Sequence, residues 1–172
     1  MQTRLLLAAI VLASTVANAQ EATRKSQLGV VTQYVAGTKV EIAYRRPVAR
    51  GRALFGALVP YGKMWTPSAD SAARVTISAP IQINGATLPA GSYSLWATPD
   101  SANWALSFHP DPVRFHLNVP GGGFVLTAHA KPEKGDYVET LLFSFPMIDA
   151  DSARLELHWG ATVVPFSIKA VH

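Results

Sequence analysis

The sequence predicts an all-β protein: a single-domain antiparallel β-sandwich, jelly-roll or immunoglobulin-like, of about nine or ten short strands. Short runs of alternating apolar and polar residues recur along most of the chain, separated by turns rich in glycine, proline and asparagine. No segment shows the apolar spacing of an ordinary amphipathic helix. Nothing repeats at a fixed period, which argues against a propeller or a solenoid.

The first 19 residues have the pattern of a cleaved signal peptide. A positive charge precedes an apolar run, and small residues at 17–19 form a cleavage site. We expect cleavage near Ala19, a flexible segment over residues 20–27, and one β-sandwich domain over residues 28–172. The expected location is periplasmic or secreted. No later apolar run approaches the roughly 20 residues that a membrane-spanning helix needs.

The chain has 172 residues, no cysteine and a formal net charge of +4. This length suits one domain with a well-buried core. Without cysteine, the fold has no disulfide and no thiolate to act as a nucleophile or metal ligand. The small positive surplus, without long lysine or arginine runs, argues against nucleic acid as a partner. Much of that surplus lies in residues 45–52, which favours a local anion site.

Two strands open the predicted sandwich. The first lies around residues 30–35 and ends at Gly37. The second covers residues 38–44, where Val40, Ile42 and Tyr44 share one face, so this strand is predicted to be half-buried.

The later strands follow the same period of two. They are predicted over residues 73–78, 81–83, 86–88, 92–98, 104–108, 124–129, 137–145, 153–159 and 162–168. Asn84-Gly85 predicts a type I′ hairpin turn. We expect Gly160 to separate the last two strands. Pro165 predicts that the last strand lies at a sheet edge or contains a bulge.

Residues 45–72 show no sustained period and are predicted to form a long structured loop. Four arginines open this loop, and glycines, prolines and aromatic residues fill the remainder. Loops longer than about 12–15 residues in a compact domain are usually functional or disordered. The apolar content of this loop argues for order, since so many apolar side chains would not stay in water. The arginines are Arg45, Arg46, Arg50 and Arg52.

The loop also carries a family resemblance. It resembles the signature of a bacterial family, domain of unknown function 2911, and the similarity continues at residues 88–95, 104–108 and 155–159. The resemblance implies an exported protein and no particular activity. After the tryptophan, the family usually reads Arg-x-Gly-Ala-Asn-x-Ala, whereas this chain has Thr66 and Asp70 at the Arg and Asn positions. The signature is Tyr44-x-Arg46-Pro47-x-x-Arg50-Gly51-Arg52-x-Leu54-Phe55-Gly56-x-Leu58-Val59-Pro60-Tyr61-Gly62-x-x-Trp65.

The arginines are the first candidate for function. Guanidinium groups bind carboxylates, phosphates and sulfates in bidentate fashion, and Gly51 would let backbone N–H groups approach an anion. The alternative is that Arg46, Arg50 and Arg52 pair with carboxylates of the chain itself, such as Asp70 or Glu41, and hold the loop onto the sandwich.

Aromatic residues are the second candidate. Tyr61, Trp65, Trp96 and Trp104 could stack on a sugar ring, but aromatic residues at alternating strand positions usually pack in the core, and core packing is the favoured interpretation. The predicted ligand-binding residues are Arg46, Arg50, Arg52, Tyr61, Trp65 and Asp70.

The remaining polar residues do not form a recognised catalytic motif. The histidines lack the spacing of a zinc site, although His109 and His116 could meet across a loop that contains Asp111. No nucleophile elbow or phosphate-binding glycine loop is present. We therefore assign no catalytic residue, metal or cofactor from the sequence. The histidines are His109, His116, His129, His158 and His172.

These observations favour a non-enzymatic periplasmic binding or interaction module, whose partner is a small anion, a glycan or an envelope protein. One alternative is a hydrolase-like enzyme that uses Asp70 and a histidine near the arginine loop. Another is a structural envelope protein in which every arginine is paired.

Overall fold

The computed structural model describes residues 24–171. The predicted signal peptide, residues 20–23 and His172 lie outside the described residues. The strands are β1 (Leu28–Val35), β2 (Thr38–Arg45), β3 (Ala73–Ile77), β4 (Ile81–Ile83), β5 (Ala86–Leu88), β6 (Gly91–Thr98), β7 (Trp104–His109), β8 (Leu126–Ala130), β9 (Glu133–Ile148) and β10 (Ser152–Ala170).

The strands form two antiparallel sheets, which confirms the predicted sandwich-like fold. One sheet has the order β1-β2-β3-β6-β7-β8, and the other has the order β5-β4-β10-β9. The β4–β5 hairpin leaves the first sheet after β3, and the chain returns at β6, which pairs with β3. Residues 24–171 contain no helix that is long and apolar enough to cross a membrane.

The core lies between the two sheets and follows the predicted alternation. In β2, the side chains of Thr38, Val40, Ile42 and Tyr44 are buried, and the intervening ones are half-buried. Tyr44 also joins the sheets, because its ring packs edge-on against Phe143 of β9, with ring centroids 4.9 Å apart. The Tyr44 hydroxyl accepts a hydrogen bond of 3.0 Å from the Phe143 backbone N–H.

The hairpin turn at Asn84-Gly85 has the predicted conformation. Both residues have positive φ, 49° at Asn84 and 86° at Gly85. A type I′ turn requires this pair of angles, and asparagine followed by glycine adopts them readily.

The last part of the chain differs from the prediction. A single 19-residue strand, β10, runs through Gly160 and Pro165. Gly160 has a φ of 59° and lies at a register shift, so it produces a bulge and does not end the strand. Pro165 lies after the part of β10 that pairs with β9 and before the part that pairs with β4. Its missing N–H therefore removes no ladder hydrogen bond, and proline is accommodated in a central strand.

Candidate functional site

The loop over residues 45–72 is attached to both sheets. It leaves β2 and forms an isolated bridge between Val48 and Thr140 of β9. It then crosses back and pairs Trp65 with Ala97 of β6 through two backbone hydrogen bonds of 2.9 and 2.7 Å. Attachment to two sheets at separate points fixes the course of the loop without a regular strand.

An aromatic cluster fills the space beneath the loop. Trp65 stacks on Trp159 of β10 with ring centroids 5.9 Å apart and an interplanar angle of 26°. Phe55 packs edge-on against Trp104, with ring centroids 4.7 Å apart, and lies 6.1 Å from the Trp159 ring. Trp104 and Trp159 are buried, so the cluster is continuous with the core. Trp96 is also fully buried, which leaves Trp65 and Tyr61 as the accessible members of the predicted aromatic set.

Thr66 occupies the position where the family pattern has arginine, and it has a structural role here. Its buried hydroxyl donates to the Leu95 carbonyl at 2.8 Å and accepts from the Ala73 N–H at 2.9 Å. The side chain therefore ties the end of the loop to β6 and to the start of β3.

Two of the predicted arginines bind backbone carbonyls. The Arg46 Nε–H donates to the Leu141 carbonyl of β9 at 3.3 Å. Arg52 donates to the carbonyls of Ala49 and Val48 at 2.8 and 2.7 Å, and so closes the turn that precedes it. Both side chains hold the loop in place.

Within residues 24–171, no ion pair joins Arg46, Arg50 or Arg52 to Asp70 or Glu41. The Asp70 carboxylate pairs with Arg24 at 3.0 Å, and the Glu41 carboxylate pairs with Lys39 at 2.9 Å. Glu41 lies two residues after Lys39 on β2, so it pairs with this neighbour in its own strand and not with an arginine of the loop.

A pocket of about 470 Å³ opens beside the loop. We call it the cationic pocket, because three cationic side chains line it against a single carboxylate, which is already paired with Arg24. The lining residues are Lys25, Ser26, Pro47, Val48, Arg50, Arg52, Leu58, Val59, Trp65, Ser68, Ala69, Asp70, His116 and Trp159.

Arg50 stands out in the cationic pocket. Its φ is 53°, a left-handed conformation that side-chain-bearing residues adopt rarely and at a cost of about 1–2 kcal/mol. Its backbone N–H donates to the carboxylate of Glu139 on β9. Its guanidinium makes no hydrogen bond or ion pair with another described residue, although it lines the pocket.

Glu139 supports Arg50 from the neighbouring sheet. Its second carboxylate oxygen accepts a hydrogen bond of 2.9 Å from the Tyr137 hydroxyl. This hydrogen bond raises the pKa of the Tyr137 phenol above its ordinary value. The backbone carbonyl of Glu139 accepts from the Ala49 N–H at 2.8 Å and from the Trp159 indole at 3.2 Å. One residue of β9 thus positions both the arginine and an indole wall of the pocket.

Trp65 has an unsatisfied donor beneath the loop. Its indole nitrogen is buried and has no hydrogen-bond partner among the described residues. A buried N–H without a partner carries a desolvation penalty of about 1–3 kcal/mol. Trp65 itself lines the cationic pocket, but this nitrogen is not exposed to it.

The structure brings together four of the six predicted binding residues. Arg50, Arg52, Trp65 and Asp70 line the cationic pocket, whereas Arg46 and Tyr61 do not. The Tyr61 ring packs against Gly56 and lines a separate hollow with Phe55 and Trp104. Sequence reasoning did not predict Lys25, Ser68, His116 and Trp159 as pocket residues. Ser68 lies within the predicted loop, His116 was noted among the histidines, and Trp159 belongs to the C-terminal segment that resembles the family, whereas nothing in the sequence singled out Lys25.

The histidines do not gather around a common point. Among residues 24–171, no group of three or more His, Asp or Glu side chains could hold a metal ion. His116 donates its backbone N–H to the Asp70 carbonyl at 3.3 Å, so it does lie beside the loop. His109 accepts from the Asp111 N–H at 3.2 Å, and His158 contacts the Asp136 carbonyl at 2.8 Å.

The fold and this site define a two-sheet β-sandwich whose inter-sheet loop carries a cationic pocket. A comparison with family models matches residues 26–168 to the family described as "Protein of unknown function (DUF2911)". The chain belongs to this family, as its loop signature indicated. Comparisons with curated proteins and with solved structures find no match.

Proposed function

We infer that this protein is an exported, non-enzymatic binding protein whose cationic pocket holds a small anionic ligand. The observation that carries the proposal is Arg50. The Arg50 side chain lines the pocket and has no hydrogen-bond or ion-pair partner among residues 24–171, while its backbone is held in a left-handed conformation by Glu139. Strained backbone of this kind persists where the surrounding structure fixes it, and it is found at ligand sites more often than elsewhere.

The chemistry of the pocket fits a carboxylate or phosphate group. Arg50 can offer a two-pronged donor, and Lys25 adds a point charge from the segment before β1. The indoles of Trp65 and Trp159 form an apolar wall next to these charges. An anion bound there would meet two cations and a planar surface.

The hydrolase alternative has less support. Asp70 and His116 both line the pocket, as that alternative requires. However, the Asp70 carboxylate accepts from Arg24, and the contact between Asp70 and His116 is made by backbone atoms. A general base needs an open carboxylate or imidazole within reach of substrate.

A thermal-shift experiment with inorganic phosphate tests the proposal. A ligand at a hundred times its Kd stabilises a protein by about 2.7 kcal/mol. We expect phosphate to raise the Tm of the wild type and not of Arg50→Asn. Asparagine suits the left-handed backbone, so this variant should stay folded. Arg74→Asn, at an exposed arginine that lies outside the cationic pocket, is the matched control.

The phosphate-induced shifts in Tm of the three proteins decide whether the anion site exists. A phosphate shift that is lost in Arg50→Asn and kept in Arg74→Asn supports the proposal. Equal shifts in all three proteins, or no shift in the wild type, overturn it. Glucuronate and glucose, added in separate arms, show whether a sugar carrying a carboxylate is bound in preference to a neutral one.

A further inference from the structure

An irregular segment between β7 and β8, with a turn at residues 116–117, carries bulky apolar side chains that are exposed. Val113, Phe115 and Leu117, which we call the apolar row, expose 79%, 52% and 69% of their surface. The residues between them, Arg114 and His116, are half-buried. A half-buried segment in water normally shows the opposite arrangement, with apolar side chains inward and charged ones outward.

Hydrogen bonds and an ion pair hold this segment so that the apolar row stays exposed. The Arg114 guanidinium donates to the Asn118 carbonyl at 3.1 Å and pairs with the Asp111 carboxylate at 3.2 Å. It therefore links the residues on both sides of the apolar row. The Arg114 carbonyl accepts from the Ala72 N–H at 2.9 Å, and Phe115 bridges to Ser71. The exposure of the row is therefore a property of the folded structure.

The apolar row adjoins the cationic pocket. The Phe115 ring lies edge-on to the His116 ring, with centroids 4.6 Å apart, and His116 lines the pocket. On its other side, Val113 shares a hollow of about 190 Å³ with Leu28, which is 55% exposed. Exposed apolar side chains thus continue beside a pocket that Lys25, Arg50 and Arg52 line.

We propose that the apolar row and the cationic pocket together dock this protein onto an anionic lipid bilayer. The acidic headgroup occupies the pocket at Arg50 and Lys25, and the row inserts among the upper acyl chains. This inference rests on the proposed anion site and extends it to a surface. Apolar anchors next to basic side chains are the combination that binds proteins to anionic membranes.

Charge favours a bilayer over a second copy of the chain. A two-fold dimer places the same patch of both subunits face to face. Such a dimer through the apolar row would bring two cationic pockets close together, and like charges at close range oppose association. An anionic lipid surface supplies the complementary sign.

Vesicle flotation tests the proposal with the purified protein. We expect binding to vesicles of phosphatidylglycerol and phosphatidylcholine and little binding to phosphatidylcholine alone. The triple variant Val113→Ser/Phe115→Ser/Leu117→Ser should reduce partitioning by about tenfold or more without changing the net charge. Met147→Ser/Ile148→Ser removes two other exposed apolar side chains, at the end of β9, and is the matched control.

Insertion into the bilayer can be measured separately with a fluorescent label. Because the chain contains no cysteine, a single introduced cysteine is labelled at one site. An environment-sensitive fluorophore on Leu117→Cys should brighten and shift to the blue with anionic vesicles. The same label on Met147→Cys should not. This signal separates insertion from adsorption by charge alone.

Several outcomes overturn the inference: no vesicle binding by the wild type, equal binding by the triple variant, or an unchanged Leu117→Cys label. A dimer in sedimentation that the triple variant dissociates also overturns it, and makes the row an interface between copies. If phosphate still stabilises the protein through Arg50 in any of these cases, the proposed anion site stands and only its membrane role falls.

Discussion

The indoles of Trp65 and Trp159 stack at 5.9 Å and join the arginine loop to β10, one of the two inner strands of the four-stranded sheet. Trp159 also donates to the Glu139 carbonyl, while Glu139 holds the backbone of Arg50. One pair of rings thus connects an indole wall of the cationic pocket with Glu139, the residue that supports Arg50.

Replacing Trp159 should affect both stability and ligand binding. We expect Trp159→Phe to lower the free energy of unfolding by about 2 kcal/mol, since it loses stacking area and one hydrogen bond. Phosphate affinity should also fall, because the pocket loses a wall. Chemical denaturation and phosphate titration measure the two effects.

Trp96→Phe is the matched control for this prediction. Trp96 is also buried and makes one hydrogen bond, from its indole to the Ser94 hydroxyl, but it does not line the pocket. It should lose similar stability and keep its phosphate affinity. Equal affinity in both variants would show that the stacked pair does not shape the pocket.

The Tyr137–Glu139 hydrogen bond predicts a pH dependence. We expect Glu139→Gln to return the raised pKa of Tyr137 toward its ordinary value. Because the folded-state pKa is raised, this contribution to stability is complete below about pH 10 and is lost as the pH rises through the folded-state pKa. The stability gap between wild type and Glu139→Gln should therefore narrow at alkaline pH.

Ultraviolet titration of the tyrosine phenols measures the pKa of Tyr137 in wild type and in Glu139→Gln. The Tyr137→Phe variant identifies which part of the titration belongs to Tyr137. Glu133→Gln is the control, since Glu133 lies on the same strand but pairs with Arg154. A Tyr137 pKa that is the same in wild type and Glu139→Gln contradicts the assignment.

Two glycines with positive φ allow steric and conformational costs to be separated. At Gly160, an added Cβ would meet Leu54 Cδ1 at 2.8 Å, whereas at Gly85 it would meet nothing within 4 Å. Gly85→Ala should cost about 1 kcal/mol for its backbone conformation alone. Gly160→Ala should cost roughly 1–3 kcal/mol more, because Leu54 must move. If urea denaturation shows equal losses of unfolding free energy in the two variants, Leu54 moves without an energetic cost. The bulge at Gly160 would then not anchor the loop.

Asp70 occupies a left-handed position with a φ of 64°, where the family pattern has asparagine. Asp70→Asn and Asp70→Ala both remove the exposed ion pair with Arg24, which is worth about 0–1 kcal/mol. Only alanine also incurs the left-handed penalty, so we expect it to be less stable than the asparagine variant by about 1 kcal/mol. Equal unfolding free energies in the two variants would show that the backbone at this position is not strained.

The strands were predictable because alternation is a local property. Val40, Ile42 and Tyr44 identify the inward face of β2 without reference to any other strand. The continuity of β10 was not predictable. Whether a glycine bulges or breaks a strand depends on the partner strand, and Gly160 has β9 beside it.

The site was predictable only in part, for a related reason. The density of arginines located the loop, but partners from distant strands decide which arginine faces the pocket. The Arg46 side chain donates to the Leu141 carbonyl and so has a structural role. Glu139 instead binds the backbone N–H of Arg50, and this contact does not use the Arg50 side chain. Lys25 comes from the segment before β1 and His116 from the segment between β7 and β8, and no spacing in the sequence links them to the loop.

The loop's attachments have a consequence for how the protein folds. Arg46 bonds to a residue 95 positions away, and the backbone of Arg50 to one 89 positions away. Contacts of such long range form late, after closer strands have paired. The pocket therefore comes into existence only when the first and last thirds of the chain have met. A ligand that recognises it would distinguish a finished molecule from every shorter intermediate, including one still emerging from synthesis.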